Sequence, residues 1–84
     1  MNNSALRQRI ITKRYFVTYV TTDGQIISNT CFGISQKPNE SDNHFNELSQ
    51  GEIAIRLSES ISSTIANYQA IINFWEIKKD IIYI

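Results

Sequence analysis

Two strand-like runs joined by an Asp-Gly pair most strongly constrain the fold of this 84-residue chain. The first run, residues 14–22, is β-branched or aromatic at almost every position, and the second covers residues 25–34. Asp23-Gly24 between them is typical of a two-residue hairpin loop, because a type I′ turn needs positive φ at both central residues. The sequence therefore predicts an antiparallel β-hairpin.

The register of that hairpin sorts its side chains onto two faces. A two-residue loop places Thr22 opposite Gln25, which in turn pairs Val20 with Ile27. The first face then carries Tyr15, Val17, Tyr19, Ser28, Thr30 and Phe32. The second face carries Phe16, Thr18, Val20, Ile27, Asn29 and Cys31. Both faces hold large apolar residues, which predicts a sheet that is apolar on two sides.

A single helix is predicted after a polar loop over residues 35–47. Ser49 and Glu52 fit a capping box, in which each side chain satisfies the other residue's backbone N–H. An apolar residue then recurs at every fourth position, which predicts a helix from about Gln50 to Ile65. The residues of this stripe are Ile53, Leu57, Ile61 and Ile65.

A third strand is predicted over residues 71–77, which are rich in β-branched and aromatic side chains. The resulting order is ββαβ, and a crossing helix returns the last strand beside the first. We therefore expect an α+β fold: a three-stranded antiparallel sheet of order 2-1-3 with one helix on one face. The predicted division is a basic N-terminal arm at 1–13, the ββαβ domain at 14–77 and an apolar tail at 78–84.

One helix can cover only one face of this sheet. The small residues around Cys31 and Gly33 favour the Phe16 face as its bed, which leaves the other face to be covered by the N-terminal arm, by the C-terminal tail or by a second chain. We favour a second chain, either another copy or a host protein, because exposed apolar patches usually mark interaction sites. The predicted partner-binding residues are Tyr15, Val17, Tyr19, Phe32 and Trp75.

Composition argues against several chemistries. The chain has one Cys and one His, so neither a disulfide framework nor a metal site is expected. Cys31, His44 and Glu52 each lack partners that would make a nucleophile or an acid–base pair. We therefore expect no enzyme activity, cofactor or small-molecule substrate. Without a membrane-length apolar run or a signal segment, a cytoplasmic protein is expected.

Nucleic-acid binding is the alternative function. A basic patch beside aromatic residues suits single-strand binding. The patch consists of Arg7, Arg9, Lys13 and Arg14. Eight basic residues balance eight acidic ones, however, and dedicated nucleic-acid binders are usually basic.

The run from Tyr15 to Tyr19, Phe32-Gly33, the Ile-striped helix and the run from Ala70 to Trp75 together resemble small phage and prophage proteins of enteric bacteria. The resemblance covers roughly residues 14–77. It implies an accessory protein without catalytic residues that binds and blocks a host protein in the bacterial cytoplasm. Inhibitors of bacterial immunity, including anti-CRISPR proteins, form one such class.

Overall fold

The computed structural model describes residues 8–83 and confirms the α+β fold. Three strands, β1 (Arg9–Thr21), β2 (Ile26–Ser35) and β3 (Tyr68–Tyr83), form one antiparallel sheet in the order β2-β1-β3. Two helices, α1 (Asp42–Asn46) and α2 (Gln50–Ser62), lie between β2 and β3 in the chain. The predicted loop over residues 35–47 was therefore wrong in one respect, since it contains α1.

The hairpin loop has three residues, not the two that the sequence predicted. Gly24 N donates to Thr21 O at 2.9 Å, and Thr21 N donates to Gln25 O at 2.9 Å. Gly24 takes a φ of 85°, whereas Asp23 does not adopt the positive φ of a type I′ turn. This is the pattern of a type I turn followed by a left-handed residue.

A bulge in β2 restores the register that the shorter loop would have given. Near the loop Tyr19 pairs with Ile27, one position away from the prediction. Asn29, at a φ of 56°, lies at the irregularity, and beyond it Val17 pairs with Thr30 as predicted. The extra loop residue and the extra bulge residue thus cancel along most of the hairpin.

The terminal segments extend the sheet. β1 begins at Arg9 and β3 continues to Tyr83, which pair with each other, so strands run through both predicted boundaries near residues 14 and 77. The tail is therefore the end of β3 as far as it is described. Arg7 and the rest of the arm before residue 8 lie outside the described residues. Pairing of β3 with β1 is irregular at three places, which adds residues to β3 relative to β1.

The predicted cap of α2 is half confirmed. Ser49 accepts a hydrogen bond from Glu52 N at 3.1 Å. The Glu52 carboxylate meets Arg56 Nε at 3.4 Å, so it turns along the helix and not back to the cap. The helix ends at Ser62, three residues earlier than predicted.

The helix covers the face opposite to the one predicted. The stripe residues Ile53, Leu57 and Ile61 are buried in one core with Tyr15 and the alternate residues of β1. The rest of that buried core is Ile11, Val17, Tyr19, Ile34 and Phe45. This packing buries the large aromatic residues of the odd-numbered face of β1, and burial of such area stabilises the fold.

Candidate interaction surface

Most of the predicted partner-binding residues lie in the core. Tyr15, Val17 and Tyr19 are at most 5% exposed, and Phe32 is half-buried against them. These four side chains therefore do not form an open surface, and their predicted exposure was wrong. Trp75, the fifth, is 50% exposed and lies on the opposite face of the sheet.

Edge-to-face aromatic contacts organise the helix side of the sheet. Tyr19 meets Phe32 at a ring-centroid distance of 6.2 Å and Tyr68 at 5.9 Å, while Tyr15 meets Phe74 at 5.9 Å. Offset geometries of this kind add to the free energy of burial. The aromatic residues that the sequence assigned to a partner thus hold the domain together.

The hydroxyl of Tyr15 is a buried polar atom without a hydrogen-bond partner among the described residues. Its burial, reinforced by the nearby negative charge of Glu76, raises the pKa of Tyr15 to about 12. A buried phenol without a hydrogen-bond partner lowers the stability of the fold. Its raised pKa means that it keeps its proton at neutral pH. It belongs to the core and not to a reactive site.

The sheet face without α2 is here named the open face. It carries the even-numbered residues of β1 and their neighbours on β2 and β3, as the pairing registers place them. Phe16 and Trp75 pair across β1 and β3 on this face, with ring centroids 6.0 Å apart. Ile26 at one end and Ile82 at the other are also exposed. Within residues 8–83 no element packs over this face, so its exposed apolar side chains are uncovered in the described part of the chain.

The basic patch is split between the two faces of the sheet. Lys13 and Arg14 are neighbours on β1, and alternation sends them to opposite sides. Arg9 forms an ion pair with Asp42 at 2.6 Å. Lys13 is buried and donates to Phe45 O at 3.1 Å. Among the described cations of the patch, Arg14 alone is on the open face.

A network of charges joins the segment after β2 to α2. Glu40 accepts hydrogen bonds from Arg56 Nη1 at 2.8 Å and from Arg56 Nη2 at 2.6 Å. It also accepts one from Lys37 N at 3.0 Å and contacts His44 Nδ1. The hydrogen bonds from Arg56, with smaller contributions from Lys37 and His44, lower the pKa of Glu40 to about 2. Arg56, which holds this network to α2, is buried.

Two cations lie near the ring of Phe45. Lys13 Nζ is 4.9 Å from its centroid and the Arg56 guanidinium carbon is 5.8 Å away. Cations over an aromatic face are attracted by the ring quadrupole. Phe45 itself is fully buried, so α1 is fixed to the sheet through this stack.

Glu40, His44 and Arg56 line an open groove of about 960 Å³ between residues 37–41, α1 and α2. Ser41 and Ser49 in the groove accept the cap hydrogen bonds of the two helices. Arg56 and Glu40 satisfy each other. The polar groups of the groove thus serve structural contacts.

Among residues 8–83, no three His, Cys, Asp or Glu side chains converge in a way that would hold a metal ion. In the same part of the chain, no helix is long and apolar enough to span a membrane.

Comparison with protein-family models found no match, and comparisons with curated proteins and with solved structures found none.

Proposed function

We propose that this protein is a non-catalytic protein-binding module whose interaction surface is the open face of its sheet. The observation that carries the proposal is the contact of half-buried Phe16 with Trp75, which is 50% exposed, on a face over which none of the described elements packs. Aromatic residues on an exposed apolar surface are typical of protein interfaces, where they supply much of the binding energy.

The shape and charge of the open face favour a protein as its ligand. The groove of the molecule lies on the helix side, whereas the open face is a sheet surface. Small molecules prefer concave sites, and nucleic acids prefer clustered cations. The split of Arg9, Lys13 and Arg14 between two faces gives the nucleic-acid alternative little support. The resemblance to phage proteins adds the further proposal that the module blocks a host protein.

A matched set of substitutions tests this proposal. Ile82→Asp places a charge on the open face, while Ile55→Asp places the same charge on α2, where Ile55 is 56% exposed. We expect Ile82→Asp and Trp75→Asp to abolish binding to any protein that the wild-type chain captures, including a second copy of the chain. Ile55→Asp should leave binding unchanged. Circular dichroism checks that each variant is folded.

Trp75 is the only tryptophan of the chain and reports directly on this face. Its emission should shift to shorter wavelength when a protein covers it, since water is then excluded from the indole. A chain that stays monomeric up to millimolar concentration and retains no protein would contradict the proposal. Binding that survives Trp75→Asp would contradict it equally.

A further inference from the structure

The pattern of residues on the open face is self-complementary at one end of the sheet. In the cross-strand rows of β1 and β3, the row of Phe16 and Trp75 is apolar, and so is the row of Ile10 and Ile82. Two polar rows separate them. The order along the strands is therefore apolar, polar, polar, apolar, which is symmetric about its centre.

The two polar rows between them differ in charge. Arg14 pairs with Lys78 in one row, and Thr12 pairs with Asp80 in the next. Lys78 and Asp80 lie on the same face, since their charged atoms are 3.3 Å apart. One row is therefore cationic and its neighbour is anionic.

We infer that a second copy of this chain packs on the open face, with the two β1 strands antiparallel and the twofold axis level with Lys13. This inference rests on the proposed function and names its partner. Rotation about that axis places Lys78 opposite Asp80 of the second copy, and Asp80 opposite Lys78 of the second copy. It also places Trp75 over the second copy's Ile82 and Phe16 over its Ile10. Lys78 and Asp80 each then meet the opposite charge, Arg14 faces the uncharged Thr12 of the second copy, and each apolar row meets an apolar row.

The other twofold arrangements are less favourable. A twofold axis along the strands would stack each row on itself and bring Arg14 and Lys78 against the same two cations. Pairing through the outer edge of β3 would have to continue a strand whose register with β1 is interrupted three times. Irregular edges of this kind oppose edge-to-edge association.

The overlap consists of four rows, with about 7 Å between successive rows on a strand. A patch of this length lies at the lower end of specific interfaces, so the dimer should be weak and concentration-dependent. Ile26 lies at the far end of the open face, beyond the rows of the overlap. It therefore supplies a control within the same face.

Two charge-reversal variants test the register. Lys78→Asp leaves acids at both positions, and Asp80→Lys leaves bases at both, so each variant alone should dimerise about tenfold more weakly than wild type. An equimolar mixture should recover wild-type affinity by forming a heterodimer. The internal Lys78–Asp80 pair cannot explain this recovery, because neither variant contains it.

Control variants carry the same changes in net charge away from the open face. Lys79→Asp lies on the helix side of the sheet, and Glu59→Lys lies on the exposed side of α2. Each should dimerise as wild type does, measured by sedimentation equilibrium and by Trp75 emission. Ile26→Asp should also leave the dimer intact.

The possible outcomes separate the two proposals. Recovery in the mixture of Lys78→Asp and Asp80→Lys supports the register. Wild-type dimers that Trp75→Asp disrupts but that both charge variants retain would overturn the register and leave the proposed function standing. A monomer that binds another protein through Trp75 would overturn self-association alone. If no binding that depends on Trp75 is observed, both the self-association and the proposed function would be overturned.

Discussion

Arg56 on α2 holds the carboxylate of Glu40 through two nitrogens, at 2.8 and 2.6 Å, and both side chains are at most 7% exposed. Bidentate pairs of this kind are the strongest common ion pairs, because they fix geometry as well as charge. The pair joins the segment after β2 to the middle of α2. It thereby closes the core over Phe45.

Removing one partner of this pair should be costly. Glu40→Gln leaves Arg56 buried without a counter-charge other than the more distant Glu52, and we expect a loss of about 3 kcal/mol in unfolding free energy. Urea denaturation measures the loss. The control Glu59→Gln, on the exposed side of α2, should change stability by less than about 0.5 kcal/mol. Equal effects of the two variants would show that the pair is not stabilising.

The Glu40–Arg56 pair should also affect how the unfolding free energy depends on pH. Hydrogen bonds from Arg56 hold the pKa of Glu40 at about 2 in the folded chain, below its ordinary value of 4.5. A lowered folded pKa contributes stability that is present above the unfolded pKa and is lost as pH falls. The difference in unfolding free energy between wild type and Glu40→Gln should therefore be constant at neutral pH and shrink between about pH 4.5 and about pH 2. A difference that stays constant through that range would contradict the assignment.

The fold class and strand order could be predicted from the sequence, but the face that carries α2 could not. In the structure Thr21 N donates to Gln25 O, and Ile11 O accepts from Gln36 N, so the odd residues of β1 turn their backbone groups towards β2. For L-residues, that direction fixes the face on which the odd side chains lie. A right-handed crossover from β2 to the parallel strand β3 then places the helix over the odd face.

A two-residue loop would have reversed this assignment. It would have turned the backbone groups of Thr22 towards β2, and the same handedness rule would then have placed the helix over Phe16. Asp23-Gly24 is compatible with both loop lengths, because Gly24 can supply positive φ in either. One residue of loop length thus decided which aromatic residues became core and which became surface.

The Glu40–Arg56 network lies further beyond sequence reasoning. Glu40 and Arg56 are 16 residues apart in the sequence. Glu40 lies in a polar segment, and Arg56 lies on a helix whose apolar stripe is formed by residues such as Ile53 and Leu57. Arg56 follows Ile53 by three residues on the helix, so its position borders the apolar stripe. Long basic side chains are often buried along their stems, and this was the available signal.

Removal of the Tyr15 hydroxyl and removal of the Tyr68 hydroxyl should change the unfolding free energy in opposite directions. Tyr15→Phe removes a buried oxygen that has no partner in the described residues, so we expect a gain of about 1 kcal/mol in unfolding free energy. Tyr68→Phe removes a 2.6 Å hydrogen bond with Ser58 Oγ and should cost about 1 kcal/mol. Thermal and urea unfolding measure both changes. Destabilisation by Tyr15→Phe would reveal a partner for that hydroxyl.

Two glycines should respond in opposite directions to alanine. Gly24 has a φ of 85° in the hairpin loop, and although a Cβ there meets no atom within 4 Å, the backbone conformation disfavours any L side chain. Gly24→Ala should therefore lower the unfolding free energy by about 1 kcal/mol. Gly51 lies in the first turn of α2, where a Cβ meets only Ser49 Oγ at 3.9 Å. Gly51→Ala should raise the unfolding free energy by about 0.5 kcal/mol, because alanine restricts the unfolded chain and favours helix. Urea denaturation of the two variants beside wild type gives the comparison. Equal stability of Gly24→Ala and wild type would mean that the loop takes a conformation without positive φ at this residue.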